Sequence, residues 1–368
     1  MVFPMLDLQE RKKLSRLAEK NETPFFALSL ERLKANEKKF LKELHSFFPK
    51  AQACYSVKTN PLPQVLKALG TGFELASLEE LEAVKSKKVF KVFNGCCKRE
   101  KELKEALKQE AIIIMDSFSE LEKLIMLKKK LGLKKLEVGV RLNVESKFGI
   151  ELREIPKFLA SAEQQGLKVI LLHAHPGAGK SLQEYRQFLQ KVKKALPLHS
   201  WKFVDLGSGF PSFARLAEQN VSLQQYFQLV KEELGTTLLA EHESKGKELG
   251  TTFIFEPGRI LVADAMFLVC KLHCLKELNN EKIAILDAGI NVLQRIVLEN
   301  FQFTPLIESN GAKSVVRLAG PLLFGNDWLG TTNSNLQEKD LIVVENVGAY
   351  CHSLAWGVSY KKPEVFLV

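Results

Sequence analysis

Long apolar runs are missing from this chain. Among its 368 residues, none approaches the ~20 consecutive apolar residues that a membrane-spanning helix needs. The opening MVFPMLDLQERKKLSRL lacks the apolar core and cleavage site of a secretory signal, so a reducing cytoplasm is the expected setting and no membrane partner is expected. Cysteine is scarce as well. Cys54, Cys96, Cys97, Cys270, Cys274 and Cys351 are too few and too scattered for a disulfide framework. Cys270 and Cys274 have no second pair with which to close a zinc site, so no metal is expected. No internal repeat or low-complexity tract is present.

Basic residues outnumber acidic ones, 53 to 43, for a net charge of +10. The lysines are spread over helical stretches such as ERLKANEKKFLKEL and KVKKAL and alternate with glutamate. They read as solvated helix faces and not as a nucleic-acid surface. The surplus still favours an anionic ligand, such as a phosphate or a carboxylate-rich substrate. With 46% hydrophobic residues the chain can bury a substantial core, enough for two domains or one large barrel with an appendage.

From about Ala51 to Arg259 short apolar runs alternate with amphipathic stretches. The runs lie at 51–57, 72–75, 90–93, 112–115, 136–142, 169–174, 202–206 and 252–256. Between them 119–131 places Leu121, Leu124, Ile125 and Leu131 on one helical face, and 182–196 does the same with Tyr185, Phe188, Leu189, Val192 and Leu196. Eight strands joined by helices imply a parallel (β/α)8 barrel. Beyond residue 262, AMFLVCKLHCLKEL, KIAILDAG, SVVRLAG and LIVVENVG are β-like runs broken by polar turns, the pattern of a mostly antiparallel β domain. The first 25 or so residues, with the amphipathic LDLQERKKLSRLAEK, fit either domain.

Catalytic groups of such a barrel come from the C-terminal ends of its strands. Read in order, those ends carry Lys58, Glu74, Asn94, Asp116, Arg141, His173 with His175, Gly207-Ser208-Gly209, and Glu256 with Arg259. A single histidine or Gly-Ser-Gly in such a place is usually structural; the whole set converging on one barrel face points to a site. The glycines let backbone N–H groups approach an oxyanion, and Arg259 adds a planar fork suited to phosphate. The ring of His175 is suited to stack on a heteroaromatic ligand, and Glu256 to pair with a protonated ring nitrogen. Lys58 is the amine suited to capture an aldehyde, with burial among cations expected to lower its pKa. A phosphate, a protonatable aromatic ring and an aldehyde together describe pyridoxal 5′-phosphate.

YSVKTNP, GFELASLEEL, VGVRLN, SKFGI, LHAHPGAGK, VDLGSGFP, FEPGRILVADA, LDAGIN and ENVGAY resemble, in that order, the fold-type III pyridoxal-phosphate-dependent decarboxylases, which include the diaminopimelate, ornithine and arginine decarboxylases. The resemblance spans roughly 24–350. It implies a barrel over 26–262, a β domain made of 1–25 and 263–368, and a head-to-tail homodimer with shared active sites. Carried over by position, Lys58 is the Schiff-base lysine, His175 the stacking histidine and Glu256 the ring-nitrogen partner. Gly207, Ser208, Gly209, Arg259 and Tyr350 line the phosphate, Glu74 is the acid beside the lysine, and Arg141 supports the pocket. A carboxylate on the ring nitrogen favours decarboxylation over the chemistry of the related alanine racemases, which place an arginine there.

One motif departs. The family's Gly-Pro-x-Cys-acidic-x-x-Asp, which reaches a neighbour's site with a proton-donating cysteine and a substrate-reading acid, here reads GPLLFGND. Leu323 stands for the cysteine and Phe324 for the acid, while Asp327 remains, so Leu323, Phe324 and Asp327 become the candidate substrate contacts. Cys351 is a candidate substitute donor, weighed against a cysteine that merely packs. The expected activity is decarboxylation of an amino acid or amino-acid conjugate whose tail is not cationic. Racemisation or epimerisation, and a non-catalytic paralogue that binds a decarboxylase, are the alternatives.

Overall fold

Most of the barrel strands are short and rich in β-branched, aromatic or leucine side chains, as a strand covered on both faces requires. The computed structural model describes residues 6–245, 250–294 and 301–368. Strand β1 (Phe25–Leu28) precedes the barrel, which comprises β2 (Gln52–Ser56), β3 (Gly72–Leu75), β4 (Lys91–Phe93), β5 (Ile112–Met115), β6 (Leu136–Arg141), β7 (Leu167–His173), β8 (Phe203–Asp205) and β9 (Thr252–Phe255). These eight pair in sequence order, all parallel, and β9 closes onto β2. Cys54, Val92, Ile114, Ile170, Leu171 and Ile254 form one buried apolar cluster among these strands. Gly139 makes room there, since a Cβ would come 2.9 Å from Leu171 Cδ2.

The crossover helices begin where the sequence offers a cap. Ser117 accepts from the Glu120 N–H at the start of Phe118–Lys130, which buries Leu121, Leu124 and Leu127. Ser181 and Glu184 form a capping box ahead of Leu182–Lys193, which buries Tyr185, Phe188, Leu189 and Val192. An aromatic cluster fixes the later strands. Phe255 lies 5.3 Å from Phe227 and 6.1 Å from Phe210, and Phe210 lies 5.6 Å from Tyr185 and 5.5 Å from Tyr226, ring centroid to centroid. Such pairs contribute about 1 kcal/mol each beyond burial. Because Phe210 follows the glycine loop and Phe255 precedes Glu256, one cluster locates both.

A second compact unit contains the described residues up to Asn36, Ser212–Glu218, and the chain from Arg259 onward; Glu37–Pro211 and Gln219–Gly258 make up the barrel unit. The second unit holds β1 with β10 (Met266–Leu278), β11 (Glu281–Leu286), β12 (Gln302–Pro305), β13 (Ser314–Ala319), β14 (Trp328–Ser334), β15 (Leu341–Glu345) and β16 (Glu364–Leu367). The path is β12-β15-β10-β11-β13-β14, and β1 joins it beside β10 and carries β16 on its other side. Every pairing is antiparallel except β11 with β13 and β1 with β16, so this is the mostly antiparallel domain that the sequence implies. The N-terminal amphipathic segment forms the helix Leu8–Ala18, capped by Asp7. Its Leu14 is buried with Phe25, Phe267, Val269 and Val343, which ties the N-terminal segment to the β unit. No helix among the described residues is long and apolar enough to cross a membrane.

Candidate active site

Because the barrel strands are parallel, their C-terminal groups share one mouth, and the structure brings the barrel candidates together there. Lys58 lies in a single 3-10 turn, Val57–Thr59, directly after β2. Its Nζ donates to Glu74 Oε2 at 2.6 Å, and Ser56 Oγ donates to the same oxygen at 2.7 Å. The Lys58 side chain is 44% exposed while that of Glu74 is 1% exposed. The expectation of a lysine buried among cations is therefore corrected: an anion holds this one at the barrel mouth. Gly258 fixes the turn, since a Cβ there would run into Thr59 Oγ1, and the Ser56 N–H donates to the Pro257 carbonyl at 3.1 Å. Pro257 and Gly258 thus pack directly against the lysine turn.

Asn94, Arg141, His173 and Glu256 form a connected row. Asn94 Oδ1 accepts from the Gly95 N–H (2.9 Å) and from Arg141 Nη1 (3.4 Å), and Asn94 Nδ2 lies 3.1 Å from His173 Nε2. Arg141 Nη1 is 3.9 Å from Asp116 Oδ1, and its guanidinium sits 4.4 Å from the Phe148 ring centroid. His173 Nε2 is 3.4 Å from Glu256 Oε1, with both side chains buried. Burial, then the charge of Arg141, holds His173 well below its usual pKa, so it is neutral at pH 7.

The glycine loop has a geometric cause. Gly207 and Gly209 adopt φ of +59° and +79°, the left-handed region that side-chain-bearing residues avoid. A Cβ on Gly207 would come 2.5 Å from His175 Cδ2, and one on Gly209 would come 2.6 Å from Pro176 Cγ. Gly207 N–H donates to Asp205 Oδ1 at 2.9 Å, and Glu256 N–H donates to the Gly207 carbonyl at 2.7 Å. Ser208, between the glycines, is buried. The half-buried His175 ring is oriented by the Gly177 N–H, which donates to its Nδ1 at 2.9 Å. Desolvation lowers its pKa to about 4, so at pH 7 the ring is neutral with its proton on Nε2.

Sequence reasoning missed Lys98. This lysine is 1% exposed, pairs with Glu120 Oε1 at 2.7 Å, and donates to the carbonyls of Gly95 (2.6 Å) and Ile114 (2.7 Å). Glu120 Oε2 in turn accepts from the Asp116 N–H at 2.8 Å. The pair ties together the segments that follow β4 and β5, and so helps to locate Asn94 and Asp116. In the sequence it is one more lysine in NGCCKREKELK.

The remaining candidates belong to the β unit. Arg259 opens the short helix Arg259–Val262, and its guanidinium carbon is 5.3 Å from the Tyr350 ring centroid. Tyr350 has φ +63°, a conformation that costs a residue with a side chain about 1 kcal/mol or more. Two residues earlier, Gly348 packs so tightly that a Cβ would land on the Val262 carbonyl oxygen, and its N–H donates to the Ala263 carbonyl at 2.9 Å. Gly348→Ala should therefore destabilise the chain by about 3 kcal/mol, which a denaturant midpoint at unchanged m-value would register. Asp327 is buried. Its Oδ1 accepts from the Ile290 N–H (2.7 Å) and its Oδ2 from the Leu322 N–H (2.8 Å), so this carboxylate shapes the loop that presents its neighbours. Leu323 is fully exposed and Phe324 is 43% exposed, with its ring 6.2 Å from that of Trp356. Cys351 is fully buried, the environment of a packing cysteine.

The family profile described as "Pyridoxal-dependent decarboxylase, pyridoxal binding domain" matches residues 32–263, well over half of the chain. The chain belongs to the fold-type III pyridoxal-dependent decarboxylases. It is an amino-acid carboxy-lyase. Curated relatives include a diaminopimelate decarboxylase from Aquifex aeolicus, 27% identical over 93% of this chain and 85% of that protein. Another, from Pseudomonas aeruginosa, is 29% identical over 92% and 85%. Among solved structures, the lysine/ornithine decarboxylase of Vibrio vulnificus complexed with cadaverine has a TM-score of 0.82 at 21% identity, covering 99% of this chain and 100% of that one. It shares the decarboxylase fold.

Proposed function

We propose that this decarboxylase holds pyridoxal 5′-phosphate at the barrel mouth and acts on an amino acid, or amino-acid conjugate, whose distal end carries no ammonium group. The residues present fit the cofactor. The glycine loop is a cradle that Cβ atoms would fill, and the buried Glu256 suits a ring nitrogen. Lys58 is the amine for the aldehyde and Glu74 orients it. His175, neutral and fixed by Gly177, would stack on the ring, and Glu256 would keep the ring nitrogen protonated. Carried over from the family's motifs, Gly207, Ser208, Gly209, Arg259 and Tyr350 would receive the phosphate, and Arg141 braces Asn94. Pyridoxal phosphate supplies the electron sink for the bonding pair that remains when CO2 leaves. The working unit in this reading is a homodimer in which residues 320–327 of one protomer face the site of its partner.

One observation carries the substrate reading. The loop at 320–327 turns Leu323 and Phe324 outward, whereas its one carboxylate, Asp327, is buried and occupied by two backbone N–H groups. Diaminopimelate, lysine and ornithine, named for the relatives, each carry a second amine, and this loop offers that charge no exposed acid. Attachment at Lys58 is tested by borohydride reduction of the loaded protein followed by peptide mass spectrometry. The cofactor mass is expected on the peptide containing Lys58, and label on another lysine, or none, refutes the assignment.

A further inference from the structure

Two carboxylates, Asp205 at the end of β8 and Glu256 just after β9, are buried in the barrel unit at 0% and 2% exposure. Their hydrogen-bonding can be worked out from the neighbours. Asn94 Oδ1 is taken by the Gly95 N–H and Arg141 Nη1, so the group facing His173 Nε2 is the Asn94 NH2, which can only donate. His173 Nε2 therefore accepts, and the proton of this neutral ring is on Nδ1, which is buried with no hydrogen-bond partner among the described residues. Nε2, at 3.4 Å from Glu256 Oε1, then has no proton to give it. Among the described residues neither Glu256 Oε1 nor Asp205 Oδ2 has a hydrogen-bond donor. Ligand-type atoms of His173, Asp205 and Glu256 nevertheless lie within 4.8 Å of one another.

Two ionised carboxylates this close in a buried site repel strongly, while a single proton between them satisfies both unpaired oxygens. We propose that Asp205 is a positioning residue held as the neutral carboxylic acid, its O–H donating to Glu256 Oε1 while its Oδ1 accepts from the Gly207 N–H. Glu256 then stays ionised, and the same acid couples the ring-nitrogen carboxylate to the glycine loop. The groups facing Asp205 agree with this. Burial first, then the charge of Glu256 and more weakly that of Glu74, push its pKa well above the usual carboxylate range, against the opposing Gly207 N–H. Cys54 and Tyr185, which also face it, are pushed up by burial and stay neutral, and His173 is neutral too. The catalytic consequence rests on the proposed role of Glu256, but the protonation state does not.

Infrared spectroscopy of the full-length chain labelled with carboxyl-13C aspartate, with and without pyridoxal 5′-phosphate, tests the inference. An un-ionised acid carbonyl band that shifts with the label is expected at neutral pH in both forms. It should be absent in Asp205→Asn and should disappear from the wild-type chain only in alkali. Asparagine keeps one donor and one acceptor, so Asp205→Asn should retain at least ~10-fold more turnover than Asp205→Ala, as loss of a hydrogen bond to a charged group implies. No acid band at neutral pH in the wild-type chain overturns the proposal, as does equal turnover in the two variants with both folded by circular dichroism. An acid band in a chain whose Lys58 takes no cofactor would uphold the protonation of Asp205 and sink the proposed function instead.

Discussion

Glu256→Gln should retain bound pyridoxal phosphate and lose roughly a hundredfold in decarboxylation rate, equivalent to about 3 kcal/mol of transition-state stabilisation. Glutamine occupies the same volume, so the aromatic cluster behind Phe255 and the backbone bond from residue 256 to Gly207 should persist. What changes is charge. A neutral amide cannot hold a pyridine nitrogen protonated, and an unprotonated ring is a poorer sink for the electron pair released with CO2. Cofactor retention is read from the visible absorption band, and the rate from CO2 release at saturating substrate. The expected pattern is a preserved band with a lowered kcat. A variant that decarboxylates at close to the wild-type rate would show that the ring nitrogen needs no anion here. A variant that loses the cofactor altogether would show that Glu256 acts mainly in binding.

The barrel was legible because its signal repeats. All eight strands lie within two residues of where the apolar runs place them, and parallel pairing then carries Lys58, Glu74, Asn94, Arg141, His173 and Glu256 to one end. The β domain was legible where apolar residues dominate a strand, as in Met266–Leu278, Ser314–Ala319 and Leu341–Glu345, but not at Trp328–Ser334, which is mostly Gly, Thr, Asn and Ser. Phe25–Leu28, Gln302–Pro305 and Glu364–Leu367 are four residues each. Tertiary pairing decides such short segments, and local pattern does not. Buried charge was the other blind spot. Lys98 pairs with Glu120 from a different segment of the barrel, and Asp205 lies near Glu256 from a neighbouring one; only the folded sheet brings them together. Asp327 shows the same limit from the other side. Its place in a motif suggested a substrate contact, and only the structure shows that its oxygens accept from two backbone N–H groups of its own unit.

The double change Leu323→Cys with Phe324→Glu should move preference toward ornithine, lysine or diaminopimelate by roughly a hundredfold relative to the native substrate. As the protein stands, a substrate ammonium at this loop would meet Leu323 and the Phe324–Trp356 ring pair. Where the proposed partner protomer covers this loop, burying an unpaired cation against apolar groups costs several kcal/mol, and cation–π attraction returns only ~1–2 kcal/mol of it. An apolar, amide or carboxylate-bearing tail avoids that cost, so such substrates should be used in preference by the unmodified enzyme. Asp327 is left untouched in the double variant because its backbone bonds hold the loop that presents residues 323 and 324. Phe324→Glu alone should improve binding of a diamine precursor, seen as a lower KM. The full gain in kcat should require the thiol as well, if position 323 governs the proton returned to the product. The decisive measurement is kcat/KM for CO2 release over a panel of amino acids that differ only in the charge and polarity of the tail. High efficiency of the unmodified enzyme on ornithine or lysine would sink this reading, because some other acid must then recognise the distal charge. A double variant with an unchanged substrate order would count against it equally, since loop 320–327 would then not face the substrate tail at all.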